Sequence, residues 1–291
     1  MKFTIKFTHF LLFSLLFLGI FSCKTSSFSN KNSSDTKIDS STLLKTKYHL
    51  GVSAHRGNSK IAPENTLATF QTVLDIGVDY IEIDVRTSKD GQLVILHDGN
   101  LNRTTNGVGA MKNFTLTELR ILSAGKGFGE IFQNEKIPTL EETILLISRW
   151  NSKHKRKTNL YVDCKDVQPK PLIEQLSAHK MLENSVFYGS DDFLLSLKNL
   201  YPKAKLLPSL DSSKELNAKA EKLKPYAFDV RWTILNDSLV NAIHQQKIKV
   251  FSDVLGFTDT PQNYQKAVKM GIDVIQTDNV RKVYQTLLNE K

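Results

Sequence analysis

From His49 onward, short apolar runs rich in Val, Ile, Leu and Tyr alternate with stretches of helical period 10 to 15 residues long, and this alternation constrains the fold more than any other feature. The runs predict strands at 50–54, 79–86, 159–165, 184–190, 203–209, 226–231, 247–252 and 272–277. The stretches between predict helices at 64–76, 139–150, 169–181, 191–200, 212–223, 236–246, 261–270 and 279–290. Parallel strands need long returns, so eight strand–helix units over roughly 230 residues fit one closed (β/α)8 TIM barrel of the α/β class better than two domains. An open doubly wound sheet is the rival, and no Gly-rich dinucleotide loop supports it.

One segment breaks the rhythm. Only the five residues Thr87-Ser88-Lys89-Asp90-Gly91 separate the strand at 79–86 from the apolar run 92–97, too few for a parallel return, and Asp90-Gly91 is a hairpin signal. The second strand is therefore expected to pass the barrel rim and fold back antiparallel, returning His97 beside Glu82 and Asp84. Residues 98–136, with Asn, Thr and Gly turns and one short helix candidate at 115–122, read as a small insertion on the catalytic face.

The first 22 residues carry Lys2 and Lys6, no acid, and a twelve-residue apolar run at 10–21. Such a helix reaches about 18 Å against a hydrocarbon core of roughly 30 Å, which marks an export signal rather than a span. Ile20-Phe21-Ser22-Cys23 resembles the lipobox of bacterial lipoproteins, in which a small residue precedes the lipidated Cys; cleavage as an ordinary secreted protein is the alternative. Residues 24–47 are Ser, Thr, Asn and Lys with few apolar side chains, suited to a flexible tether. The expected organisation is a signal peptide at 1–22, a tether lipid-anchored through Cys23 at 23–47, and a barrel at 48–291, held on a bacterial envelope membrane at the outer-membrane or periplasmic side.

Composition excludes several classes. With 40% hydrophobic and 24% charged residues the chain is an ordinary globular protein, not a fibrous or low-complexity one. Two cysteines, Cys23 and Cys164, make no disulfide framework or structural zinc site. The formal charge of +9 is spread along the chain, which reads as a solvated basic surface and not a nucleic-acid-binding face.

Strand parity selects the chemistry. Glu82 and Asp84 emerge on one side of their strand while Ile81, Ile83 and Val85 take the other, which must face the helices; both carboxylates then point toward the barrel axis. Two buried acids repel each other unless a cation or a salt bridge relieves them. In the strand at 159–165, Tyr161, Asp163 and Lys165 share a face, so Asp163 can be a third oxygen ligand. Three carboxylates suit one divalent cation, Ca2+ or Mg2+, rather than zinc. Lys165 can contact a phosphate oxygen or form an ion pair with Asp163. His55 and Arg56 end the first strand, placing an imidazole and a guanidinium suited to phosphate at the same rim. His55 and His97 are candidate acid–base groups, since imidazole titrates near neutrality.

The ordered set His55-Arg56-Gly57, Pro63-Glu64-Asn65-Thr66, Glu82-Ile83-Asp84-Val85, Lys89-Asp90-Gly91, His97-Asp98, Arg103-Thr104-Thr105, Ile137-Pro138-Thr139-Leu140-Glu141-Glu142, Gly271-Ile272-Asp273 and Thr277-Asp278 resembles the glycerophosphodiester phosphodiesterase family from residue 49 to about 280. The resemblance implies metal-dependent hydrolysis of glycerophosphodiesters to sn-glycerol 3-phosphate and an alcohol on a TIM barrel. It implies Glu82, Asp84 and Asp163 as metal ligands, His55 and His97 as acid and base, and Arg56 and Lys165 on the phosphate. Glu64 and Asn65 would orient His55 and Arg56, although Pro63-Glu64 also suits a helix start. Two positions depart from the family pattern: Asp163 stands where Glu is usual, and Phe251-Ser252 where Trp-Thr is frequent, with Trp232 expected as a further lining residue. Related barrel enzymes act on lysophospholipids, phosphoinositides or sphingomyelin, and a lipid-acting site should carry an exposed apolar rim. A non-catalytic envelope binding protein is the remaining alternative, and it should lack one histidine or two acids.

Overall fold

The computed structural model describes residues 48–58 and 60–288; the expected signal segment, Cys23 and the tether lie outside the described residues. Strands β1 (Gly51–Ala54), β2 (Tyr80–Thr87), β3 (Leu93–Ile95), β4 (Asn159–Cys164), β5 (Ser185–Tyr188), β6 (Lys205–Leu206), β7 (Ser209–Leu210), β8 (Ala227–Val230), β9 (Lys249–Asp253) and β10 (Val274–Thr277) form one sheet in the order β6-β5-β4-β2-β1-β10-β9-β8-β7, with β3 paired to β2. All pairings are parallel except β2–β3. Helices α1 (Leu67–Leu74), α2 (Leu116–Ile121), α3 (Leu140–Lys153), α4 (Pro169–Ala178), α5 (Asp191–Leu200), α6 (Leu216–Leu223), α7 (Asp237–Gln245), α8 (Pro261–Met270) and α9 (Val280–Leu288) supply the returns and the insertion. Among the described residues no helix is long and apolar enough to cross a membrane.

The sheet is the TIM-barrel arrangement that the strand–helix alternation predicts. Its ends meet in one chain segment: the expected strand at 203–209 is split into β6 and β7 by Leu207-Pro208. Pro208 has no N–H to donate, so the segment gives its first half to β5 and its second half to β8. Leu207 N still donates to Phe187 O at 2.8 Å on one side, and Asp229 N donates to Pro208 O at 3.0 Å on the other.

Parity holds through the ring. Ile81, Ile83, Val85, Leu160 and Val162 are fully buried under the helices, each worth about 1.5–3 kcal/mol relative to exposure. Inside the barrel, Tyr161, Val186, Leu207, Ala227, Phe251 and Val274 make a separate apolar layer. Two residues further along, the inward positions turn polar: Asp84 pairs in register with Asp163, and Asp253 with Gln276. The barrel interior is therefore apolar toward the start of the strands and polar toward their C-terminal ends.

The hairpin and the insertion have a core of their own, in which Val94, Leu96, Leu101, Met111, Leu119 and Ile137 pack together. Thr115 and Glu118 form a capping box at α2, Thr139 and Glu142 another at α3. Arg120 of α2 then grips Glu142 with two bonds of 2.8 and 2.9 Å, tying the insertion to the barrel. Trp232, in a 3-10 segment (Trp232–Ile234) right after β8, is half-buried against the core, with the Lys266 ammonium 5.7 Å from its ring centre.

Candidate active site

The site begins with a tight turn after β1. Arg56 and Asn65 adopt left-handed backbone angles, φ 50° and 56°, a conformation that costs a non-glycine residue about 1–2 kcal/mol. Hydrogen bonds offset it: Arg56 N donates to Glu82 Oε2 at 2.7 Å and Asn65 N to Arg56 O at 3.0 Å. Gly57 is required between them, since a Cβ there would lie 2.4 Å from Thr69 Cγ2. The turn thus sets Arg56 over the carboxylates of β2.

Glu82, Asp84 and Asp163 converge as parity predicts, each offering an oxygen within 4.8 Å of the others. Glu82 and Asp84 are buried. Asn65 Nδ2 donates to Asp84 Oδ2 at 2.7 Å, and Arg56 Nε lies 3.6 Å from the same oxygen. Asp84 Oδ1 accepts no well-aligned hydrogen bond, although the Lys165 ammonium is 3.1 Å away. Lys165 is 2.5 Å from Asp163 Oδ2, which is the ion-pair alternative open to it from its strand position. Burial, then repulsion from Asp84 and Asp163, pushes the Glu82 carboxyl well above its ordinary value. Burial likewise raises Asp163, against the opposing charge of Lys165. An all-oxygen, acid-rich, partly unsatisfied pocket of this kind fits a hard divalent cation.

Two imidazoles flank the acids. His55 Nδ1 is 2.8 Å from Asp278 Oδ1. His97 returns on the hairpin, whose Leu96 N donates to Asp84 O at 3.0 Å. Arg86 holds the His97 carbonyl with bonds of 2.7 and 3.0 Å, and His97 Nδ1 is 2.7 Å from Asp98 Oδ1. Arg103 clamps Asp98 at 2.8 Å and Glu64 at 2.7 and 2.8 Å, while Glu64 also takes Arg56 at 3.1 Å. Glu64 is thus a bridge between the two wings. Burial opposes its charge, yet the bonds from Arg103 and the charge of Arg56 hold its carboxyl below the usual value.

Several side chains at the mouth carry no role in the sequence reading. Asp98, Arg103 and Asp278 stood only inside motifs. Asp229 and Asp253 are inward on β8 and β9 by the same alternation that turns Glu82 inward, so parity could have found them. Tyr161 OH donates to Asp229 Oδ2 at 3.0 Å, and burial with repulsion from Asp253 raises the Asp229 carboxyl well above its ordinary value. A cavity of about 810 Å³, lined by Tyr48, Tyr80, Arg156, Lys249 and Asp273, opens at the other end of the strands. The converging acids and imidazoles are at the C-terminal mouth, where barrel enzymes place their chemistry.

An acidic pocket that suits a hard divalent cation, flanked by two carboxylate-held imidazoles and by the cationic side chains of Arg56 and Lys165 at the mouth of a (β/α)8 barrel, is the kind of site a hydrolase of phosphoric esters needs. The model of the glycerophosphoryl diester phosphodiesterase family matches residues 55–282, and the chain belongs to that family. A glycerophosphodiester phosphodiesterase of Caldanaerobacter subterraneus subsp. tengcongensis is 34% identical over 82% of this chain and 96% of its own length. One from Bacillus subtilis is 32% identical over 60% of this chain and 65% of its own. A phosphodiesterase of Oleispira antarctica, solved with the product sn-glycerol-3-phosphate, superposes with a TM-score of 0.74 at 28% identity, covering 82% of this chain and 97% of that one.

Proposed function

We propose that the chain hydrolyses glycerophosphodiesters to sn-glycerol 3-phosphate and an alcohol, with Glu82, Asp84 and Asp163 holding one Ca2+ or Mg2+ and with His55 and His97 as the acid–base pair. The observation that carries the reading is the convergence of three carboxylates with two imidazoles whose Nδ1 atoms are each held by a carboxylate. With Nδ1 engaged, Nε2 is the ring nitrogen left to move a proton. A bound divalent cation supplies Lewis-acid polarisation of the phosphoryl group. Arg56 and Lys165 provide N–H donors for the phosphate, and Glu64 and Asn65 hold Arg56 and Asp84 in place. One imidazole takes the proton of the nucleophile and the other gives one to the departing alkoxide. The nucleophile is either water or the substrate's own glycerol hydroxyl.

The test is an assay of the full chain, stripped with EDTA and resupplied with calcium or magnesium separately, against a panel of glycerophosphodiesters and lysolipids. Release of sn-glycerol 3-phosphate only with a cation supports the reading. No turnover with either cation, or an undiminished rate after EDTA, overturns it. The lipid-acting alternative is favoured by two apolar side chains on loops that follow strand ends, Ile61 at 47% and Phe257 at 93% exposure. Faster turnover of the lysolipids would select it.

Envelope anchoring through Cys23 is part of the same proposal and rests on the apolar run, the lipobox-like residues and the polar tether. Cys23→Ser should release the protein from membranes and leave activity intact. Mass spectrometry that finds an unmodified mature N-terminus would remove the anchor.

A further inference from the structure

We infer that Asp278 and Asp259 are positioning residues for His55, with the buried Asp259 fixing the segment that carries Asp278 and Asp278 fixing the imidazole. The inference rests on the reading of His55 as a proton-transfer group. His55 follows β1, and its backbone N donates to Thr277 O at 3.1 Å while its ring meets Asp278 at 2.8 Å. Asp278 is the first residue beyond β10, so the parallel ladder ends before it. Its own fixation comes from elsewhere in the chain.

Asp259 lies between β9 and α8, is 4% exposed, and accepts four hydrogen bonds. Its Oδ1 takes the Tyr264 hydroxyl and the Thr277 hydroxyl, the latter at 2.7 Å. Its Oδ2 takes the Asp278 backbone N–H at 3.1 Å and Asn279 Nδ2 at 2.6 Å. Thr277 Oγ1 in turn accepts from Asn279 N at 2.9 Å, closing the turn. Burying a carboxylate is costly unless its oxygens are satisfied, and here three of the four donors belong to residues 277–279. The carboxylate therefore dictates where Asp278 begins, which sets the aim of Nε2 of His55. Catalytic geometry tolerates errors of only about 0.5 Å.

A purely structural role, as a remote cap for the start of α9, would cost stability and leave kcat alone. The experiment measures kcat, KM, calcium affinity by calorimetry and Tm for the full chain on a glycerophosphodiester with a poor alkoxide leaving group. The variants are Asp278→Asn, Asp259→Asn, Thr277→Val, His55→Ala, Asp278→Ala and the double variant Asp259→Asn/Asp278→Ala. Asp278→Asn should lower kcat about 10- to 100-fold, and Asp259→Asn about tenfold, with KM and calcium affinity near wild type. In the Asp278→Ala background, Asp259→Asn should lower Tm as before but cost no further kcat. Thr277→Val removes one donor and should show the same pattern, smaller, should Asp259→Asn fail to fold. An equal kcat loss from Asp259→Asn in both backgrounds overturns the relay. Wild-type kcat in Asp278→Asn beside a crippled His55→Ala overturns it while the acid–base reading stands. Wild-type kcat in His55→Ala overturns both.

Discussion

The two imidazoles are held in unlike ways. His55 sits on the barrel wall, and the carboxylate it meets is backed by a buried, uncharged set of donors gathered on Asp259. His97 sits on the hairpin return, and its carboxylate is backed by the half-exposed guanidinium of Arg103. The first arrangement is short-ranged and shielded from solvent ions; the second is electrostatic and open to screening. A single mouth thus has one wing that stiffens with burial and one that depends on charge, joined through Glu64.

The largest change should strike both wings alike. Glu82→Ala or Asp84→Ala should abolish cation-dependent turnover, since in the proposed mechanism both histidines would work on a substrate placed by one cation. Wild-type calcium affinity in Asp84→Ala, read by titration calorimetry, would show that the cation sits elsewhere.

Next come the histidines themselves. His55→Ala and His97→Ala should each lose roughly 10²- to 10⁴-fold in kcat on a poor alkoxide leaving group while keeping cation affinity. A p-nitrophenyl ester needs little protonation of its leaving group, so it should rescue the variant lacking the acid far more than the one lacking the base. This contrast assigns the roles. Losses of only about twofold in both would mean that neither imidazole moves a proton.

Arg103→Ala sharpens the difference between the wings. It should lower kcat about tenfold, a loss of the size seen when a supporting partner is removed, and make the remaining activity less sensitive to salt. The hydrogen bond from Arg103, working against burial, holds the Asp98 carboxyl well below its ordinary value. A carboxyl depressed in the folded state adds stability above its unfolded value of about 3.9 and loses it as pH falls through the folded value. The Tm gap between wild type and Arg103→Ala should then be widest above about pH 4 and close toward more acid conditions. A gap that widens on acidification, in thermal melts from about pH 2 to 7, would contradict the electrostatic account of this wing.

The smallest effect is expected from Asp163→Glu. One added methylene restores the residue more usual in the family and should keep activity within about an order of magnitude while shifting the preference between calcium and magnesium, whose size demands differ. An unchanged ratio of the two activities would place Asp163 outside the coordination sphere.

Local patterns carried much of this site. The alternation in β2 and β4 put Glu82, Asp84, Asp163 and Lys165 on the inner face, and the five-residue Thr87–Gly91 link announced the hairpin that returns His97. These features depend on periods of two and on turn chemistry, which neighbouring residues dictate. The first helix start was less legible: Pro63-Glu64 suits one, yet α1 begins at Leu67, because Asn65 takes a left-handed backbone angle and Thr66 is the cap.

By itself, then, the sequence determined the strand–helix order and the inward set of acids, because each follows from interactions within a few residues. Tertiary structure alone decided the partners. His55 meets Asp278 across 223 residues only because β1 and β10 lie side by side in the sheet. Lys165 divides itself between two acids only because β2 and β4 run in register. The segment 205–210 serves two neighbours because a ring must close on both sides. Such pairings are set by which strands become adjacent, and adjacency is a property of the folded sheet that no local period encodes.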